Sequence, residues 1–416
     1  MDLSSNNTKK PRPRQQRPRK VQTESHGGPM PIVMERDRTA EFEDGYENPP
    51  DLAFKKPTLS LYQGVRKTQQ TQRQSLVKQP TELPPSINAP QGSQGSETKN
   101  SKGVADNAVT FVDKLVDEGI DRLKKEYEEI NKINPSSEDI TAFLKPENAY
   151  KNRNINVPCL DVTRVELKNS QSDYIHANFV STPTNPKKFI CTQCPTIETS
   201  NDFWLMVAQN DVEKIGMISD MSKGNKEDLA LYFPNKTGRS YRFGEVKVTC
   251  KKREKMSINN DLRRTTLKVQ YLNKSLFVLH YHWASFPCKS VPPIDSTPFQ
   301  LLGFLRSSRS PVIIHDTFGT GRAGAICLVE IFMETLMIGK EIDTVQLMAE
   351  NLRKSRAFAI DNEIIYYYVH TLVIEYLKKK LNFQSSQLFL EFIDAYDAVV
   401  RKYEKNLAKQ EGKSVG

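Results

Sequence analysis

No apolar run in the 416 residues approaches the roughly 18 needed to cross a membrane as a helix, so no transmembrane segment is expected. The opening residues, MDLSSNNTKKPRPR, lack the apolar centre of a secretory leader. Cysteine is sparse. Cys159, Cys191, Cys194, Cys250, Cys288 and Cys327 are scattered, which suits free thiols in a reducing compartment. Cys191 and Cys194 have CxxC spacing, but there is no second such pair and no clustering of histidines, so neither a metal centre nor a cofactor is expected. Charge of one sign is not in great excess either: a formal +10 over this length does not by itself point to nucleic acid. The expectation is a soluble cytoplasmic protein.

Aliphatics are scarce in residues 1–105, which are rich in Pro, Gln, Ser and charge. Such a stretch cannot bury enough apolar surface to offset its ordering entropy, and a disordered basic tail is expected there. Its densest part, KKPRPRQQRPRK from Lys9 to Lys20, fits a nuclear-import address, a contact for nucleic acid or anionic membrane, or simply a solvated tail. An acidic patch (Glu41, Glu43, Asp44, Glu47) surrounds Tyr46, in the manner of a linear docking or phosphorylation motif.

What is present begins near Asn107, where Ala108, Phe111, Val112, Leu115, Val116, Ile120 and Leu123 recur at helical spacing behind a cap at Asp106 or Asn107. A short helix is expected to include Ile140–Leu144. From Asn154 to Phe299 the pattern becomes β-rich, with runs at Phe179–Val180, Lys188–Thr192, Lys214–Ile218, Tyr241–Cys250, Thr265–Tyr271 and Ser275–His282, and a helix at Phe203–Gln209. Helices return at Pro298–Leu305, Thr344–Arg353, Asn362–Lys380 and Ser386–Leu407, the last with an apolar stripe from Phe389 to Leu407 that reads as a core seam. Residues 106–410 therefore form one α/β domain with no internal linker, and 411–416 are expected to be disordered.

One stretch within that domain organises the rest. Pro311 to Gly324 reads PVIIHDTFGTGRAG: a buried strand at Val312–Ile314, a loop with Gly319, Gly321 and Gly324, then an apolar helix over Ala325–Met337. A strand passing to a helix through such a loop aims several backbone N–H groups at one point, which makes an anion site. Arg322 lies in the loop with a fork suited to phosphate, while Asp316 places a carboxylate where an anion or a nucleophile would sit.

The surrounding strings resemble the cytosolic, non-receptor protein tyrosine phosphatase domain across residues 110–408. KNRNINVPCLDVTRVEL (residues 151–167) is similar to that family's KNRYxDVxCxDxTRVxL, DYIHAN (173–178) to DYINAN, FICTQCP (189–195) to FIATQGP, and Asp202-Phe203-Trp204 to DFW. The wording also resembles the nematode tyrosine-phosphatase-like set. The resemblance implies a twisted mixed central β-sheet flanked by α-helices, the cysteine-dependent tyrosine phosphatase fold. It implies a chemistry too: a loop cysteine attacks phosphorus, a loop arginine holds the oxygens, an aspartate protonates the leaving group, two glutamines position water, and a rim tyrosine stacks on the substrate ring.

This sequence departs from the family at most of those positions. The phosphate-loop signature HCxxGxxR reads His315, Asp316, Thr317, Phe318, Gly319, Thr320, Gly321, Arg322, so the nucleophile's place is taken by Asp316, and the hydroxyl residue after the arginine is Ala323. The acid falls on Cys288, the two glutamines on Asp361 and Ile365, and the rim tyrosine on Asn154. Cys288 reads as an inert loop thiol or as a redox-sensitive one. An aspartyl nucleophile normally relies on bound magnesium, and no carboxylate cluster accompanies the loop. The expected function is a catalytically inactive scaffold in phosphotyrosine signalling, partnered by a kinase or a phosphotyrosine protein. The alternative is an active phosphatase with non-standard residues. Asp316 is expected to accept the loop's N–H groups and to pair with Arg322, while Asp361 and Glu363 add negative charge to the rim.

Overall fold

The computed structural model describes residues 33–36, 95–219, 231–340, 342 and 344–413. The basic run at 9–20 and the acidic patch around Tyr46 lie outside the described residues, as do 414–416. Ten strands form one sheet: β1 (Val33–Arg36), β2 (Arg164–Glu166), β3 (Tyr174–Thr182), β4 (Asn185–Gln193), β5 (Lys214–Ile218), β6 (Arg239–Phe243), β7 (Val246–Met256), β8 (Asn259–Tyr271), β9 (Lys274–Trp283) and β10 (Val312–Asp316). Their order across the sheet is β1-β6-β7-β8-β9-β5-β10-β4-β3-β2. The pairs β4–β10, β10–β5 and β5–β9 are parallel and the outer pairs antiparallel, the mixed sheet that was expected. β10 lies between two parallel neighbours and is buried at every position, which is why Val312–Ile314 is a continuous apolar run and does not alternate.

The helices are α1 (Gly95–Ile130), α2 (Thr141–Leu144), α3 (Ser200–Gln209), α4 (Thr297–Leu305), α5 (Arg322–Met337), α6 (Val345–Ser355), α7 (Glu363–Leu381) and α8 (Gln387–Lys413). One core on one side of the sheet gathers α1, α4, α5, α7 and α8 through Phe111, Leu115, Leu302, Phe332, Tyr366, Phe389 and their neighbours. The other side is filled by α3, with Phe203, Trp204 and Val207 against Ile175, Val248, Leu267 and Val278. The stripe on α8 is the expected seam: Phe389, Phe392 and Tyr396 are buried in the first core, and Val400 and Tyr403 pack against it.

The boundaries differ from expectation at four places. Helix α1 begins at Gly95 and not at Asn107, because GSETKNSKGV carries no apolar repeat that a periodicity argument could detect. With β1 it places regular structure inside the stretch expected to be disordered up to residue 105. The helical periodicity also runs over a break at Gly119, whose φ of 68° and ψ of −174° split α1 into two segments, a conformation open to glycine at little cost. Finally, the run Tyr241–Cys250 is two strands, β6 and β7, folded back at Gly244 (φ 55°). At the C-terminus, α8 passes residue 410 and ends at Lys413. Among the described residues no helix is long and apolar enough to cross a membrane.

Helix α1 is part of the domain by packing. Phe111 is 6% exposed, and its ring centroid lies 4.9 Å from that of Phe332 on α5. Phe111→Ala is expected to destabilise the fold by about 3–5 kcal/mol, as large-to-small core changes do, in urea unfolding followed by circular dichroism. A change below 1 kcal/mol would detach α1 from the cooperative unit.

Candidate functional site

Strand β10 delivers Asp316 and helix α5 begins at Arg322, so the loop between them sits at the C-terminal edge of the parallel strands, over the first turn of α5. The side chain of Asp316 fills the nest from within. Its Oδ1 accepts the N–H groups of Phe318 (2.9 Å) and Gly319 (2.5 Å), and its Oδ2 accepts that of Ala323 (2.9 Å). Only 3% of the residue is exposed. The carboxylate thus holds the place and the donors that a bound oxyanion would take.

The expected pairing of Asp316 with Arg322 does not form: no ion pair joins them. The guanidinium donates from Nη2 to Thr317 Oγ1 (2.9 Å), reaches Cys288 Sγ at 3.9 Å, and from Nη1 meets the Phe286 carbonyl at 3.5 Å. The physical reason is saturation. Three backbone donors already satisfy both carboxylate oxygens, and the arginine is left to secure the segment that carries Cys288. Cys288 itself is exposed and unbridged.

The loop is held from behind by a residue that the sequence reading missed. Arg356 is wholly buried, and its Nε donates to the Gly319 carbonyl (2.9 Å) while Nη2 donates to the Phe318 carbonyl (2.8 Å). The same guanidinium reaches Asn178 Oδ1 (2.8 Å) and His176 Nδ1 (3.1 Å) on β3. Cys191 on β4 adds a thiol contact to the Gly319 carbonyl at 3.3 Å. The only sequence signal was Arg356 standing directly against the apolar run Ala357–Ile360, where a charge needs partners. Gly319, at φ 71°, stands so close to β4 that a Cβ would lie 2.3 Å from the Thr192 carbonyl oxygen. His315 is a structural post. Burial pushes its imidazole down to about 3, and Nε2 meets the Tyr232 hydroxyl at 2.8 Å, which in turn meets His280 Nε2 at 2.6 Å.

A second segment presses on the loop from above. Phe358 (φ 58°) and Ile360 (φ 57°) adopt left-handed backbone, unusual for a ring-bearing and a β-branched residue and costing on the order of 1–3 kcal/mol each. Arg353 secures the strain, donating to the carbonyls of Ala359 (2.9 Å) and Ile360 (2.8 Å). The Ile360 N–H is bonded to the Thr320 carbonyl at 3.1 Å. This geometry places Asp361 and Ile365 against Gly321, where an added Cβ would lie 2.5 Å from Asp361 Oδ1 and 3.0 Å from Ile365 Cδ1. Thr320 Oγ1 donates to Asp361 Oδ2 at 2.6 Å. Burial pushes the Asp361 carboxyl up to about 6; the nearby Asp316 charge adds to this, and the Thr320 hydroxyl and Arg322 oppose it. The residue also keeps exposed surface, so water damps the effect. Glu363 turns to its own helix and accepts from the Tyr367 hydroxyl at 3.2 Å.

Asn154 is half-buried and accepts the Asn156 N–H on its side-chain oxygen at 2.8 Å, closing its own turn. Helix α8 reaches both flanking segments: Ser290 Oγ donates to Glu404 Oε1 (2.8 Å), and Asn362 Nδ2 to the Tyr403 hydroxyl (2.5 Å).

Two outcomes follow. Asp316→Ala orphans three N–H groups and should cost about 1–3 kcal/mol in buffer free of oxyanions. Phosphate or sulfate should then raise the melting temperature of the variant and leave that of the wild type unchanged. For Asp361, the folded state binds the proton more tightly than the unfolded chain. Its favourable contribution is complete below about pH 4 and is lost as pH rises through about 6. Asp361→Asn should flatten the fall in stability across that window, read by urea unfolding at a series of pH values.

The protein-tyrosine phosphatase family model matches residues 148–375. The human tyrosine-protein phosphatase non-receptor type 9 is 30% identical over 293 residues, covering 64% of this chain and 48% of that protein. The chain thus spans about half the length of the curated relatives it matches. The solved catalytic domain of human protein tyrosine phosphatase non-receptor type 18 superposes with a TM-score of 0.58 at 25% identity, covering 65% of this chain and 99% of that one. The same phosphatase in complex with a HER2 phosphopeptide gives 0.56 at 26% identity, over 61% and 98%. With the mixed sheet, the loop from β10 to α5 and the family match over more than half its length, the chain belongs to the protein-tyrosine phosphatase family.

Proposed function

We propose that the chain is a catalytically inactive tyrosine-phosphatase-like protein that serves as a binding or regulatory scaffold in cytoplasmic phosphotyrosine signalling. The observation that carries this reading is Asp316, whose two carboxylate oxygens already take the three loop N–H groups that would hold a phosphate. A carboxylate about 4 Å from a phosphate charge costs ~4 kcal/mol at an effective dielectric near 20, roughly three decades of affinity. Asp361 brings a second carboxylate to the same loop. At the position of the general acid stands a thiol, Cys288, and the general acid ordinarily contributes about 10²–10⁴ in rate. Ile365 and Asn154 offer no substitute for a water-positioning amide and a stacking ring. The partner class is a kinase or a phosphotyrosine protein, met through the old substrate face, and the motif wording groups the chain with the nematode tyrosine-phosphatase-like set.

The competing reading is an active phosphatase with Asp316 as nucleophile, favoured by the retention of Arg322 and the loop glycines. The two part on turnover. Purified protein should hydrolyse neither p-nitrophenyl phosphate nor a phosphotyrosyl peptide above the level of Asp316→Ala. Turnover that disappears in that variant would overturn the scaffold reading. Conversely, restoring the family residues together (Asp316→Cys, Cys288→Asp, Asp361→Gln, Ile365→Gln and Asn154→Tyr) should bring measurable hydrolysis, since Arg322 and the loop backbone are in place.

A further inference from the structure

Large apolar side chains stand in water on several segments around the phosphate loop. Ile155 is 80% exposed, Val162 83%, Ile197 62% and Phe318 37%, and Phe358 is half-buried. Hydrogen bonds draw their segments together. Arg356 Nη2 donates to the Phe318 carbonyl (2.8 Å) and to His176 Nδ1 (3.1 Å), and His176 Nε2 donates to the Val157 carbonyl (2.8 Å), just past Ile155. Thr163 Oγ1, next to Val162, donates to the Ser355 carbonyl (2.6 Å), where α6 ends shortly before Phe358. Arg153 Nη2 donates to the Pro195 carbonyl (2.8 Å), just ahead of Ile197, and the Cys194 N–H to the Asp316 carbonyl (2.8 Å). Exposed apolar side chains scattered singly need no explanation, but gathered on one face they mark a contact surface.

What that face accepts is set by its charges. Asp316 already takes the loop N–H groups, and Asp361 stands exposed beside the loop. Asp361 Oδ2 accepts the Thr320 hydroxyl, and among the described residues no donor meets its Oδ1. A phosphate brought here faces two carboxylates and finds the N–H groups occupied. A hydroxyl brought here finds an acceptor. The matching chemistry is an apolar body with one neutral O–H donor, which a phenol combines in a single side chain.

We infer that this face binds a peptide segment of a partner protein through an unphosphorylated tyrosine. The phenol hydroxyl donates to Asp361 Oδ1, and the ring and its apolar flanks lie against Phe318, Phe358, Ile155, Val162 and Ile197. The inference rests on the scaffold reading and narrows its partner: the chain holds the dephosphorylated form and releases the phosphorylated one. An anionic lipid surface is repelled by the same two carboxylates. A second copy in a two-fold contact would bring its own Asp316 and Asp361 against this pair.

The probes are matched sets of short peptides, apolar on both sides of a central tyrosine, phosphotyrosine or phenylalanine, titrated with the full chain by fluorescence polarisation. The tyrosine set should bind about tenfold more tightly than the phenylalanine set, the worth of one hydrogen bond to a charged acceptor. It should bind at least about 100-fold more tightly than the phosphotyrosine set. Asp361→Ala should erase the first preference and reduce the second. Ile155→Ser with Val162→Ser should weaken binding about tenfold and melt with the wild type, since both side chains are exposed. Equal or tighter binding of phosphotyrosine, no binding of any set, or binding unmoved by the Ile155 and Val162 changes each overturns the inference. So does a concentration-dependent dimer in sedimentation that those changes abolish, which gives the face to a second copy. Turnover judges the scaffold reading separately: a chain without turnover that prefers phosphotyrosine overturns this inference alone, whereas turnover lost in Asp316→Ala overturns the reading beneath it.

Discussion

The buried guanidinium of Arg356 is the constraint on which the site depends. Among the described residues it meets no carboxylate; two loop carbonyls, an amide oxygen and an imidazole nitrogen satisfy it instead. A charge taken out of water in this way is tolerated only while every donor is engaged, so the loop carbonyls of Phe318 and Gly319 must point inward. The Phe318–Gly319 peptide shows the coupling: its carbonyl is fixed behind by Arg356, and its N–H, on Gly319, faces the other way to Asp316 Oδ1. The anion-binding shape therefore follows from a cation on the far side of the loop, and it persists whatever occupies the front. Asp316 supplies the negative charge that those N–H groups require.

Strain makes the second contribution. Phe358 and Ile360 hold left-handed backbone because Arg353 and the Thr320 carbonyl tie their peptides down. The product of that strain is position. Asp361 and Ile365 are brought within contact distance of Gly321, which has no side chain to displace. Here the segment holds a carboxyl whose proton affinity is raised by burial and by the neighbouring Asp316. The segment thereby sets a second carboxyl beside the loop that Asp316 already fills.

Much of the fold was legible in the chain. β-rich runs between turn residues marked most strands, and helical spacing marked α1 and α8; Thr344 and Asn362, where two helices were expected to begin, bond the first turns of α6 and α7 as caps. The departures have physical causes. GSETKNSKGV carries no apolar pattern, so the first turns of α1 left no trace. Periodicity is blind to a single φ, so the break at Gly119 was passed over, and a hairpin turn at Gly244 was read through as one strand. At the site, residue types could nominate Asp316 and Arg322 but could not say which groups each would meet. The ion pair expected between them is replaced by three backbone bonds on one side and by Thr317, Phe286 and Cys288 on the other.

The sequence by itself determined the fold, because apolar periodicity and the order of motif strings are local properties of the chain. Tertiary structure alone decided that Asp316 is satisfied by its own loop, that Arg356 holds that loop from behind, and that Asp361 bears on Gly321. Those contacts join segments up to 180 residues apart, and which donors reach which acceptors is fixed only when the strands have packed.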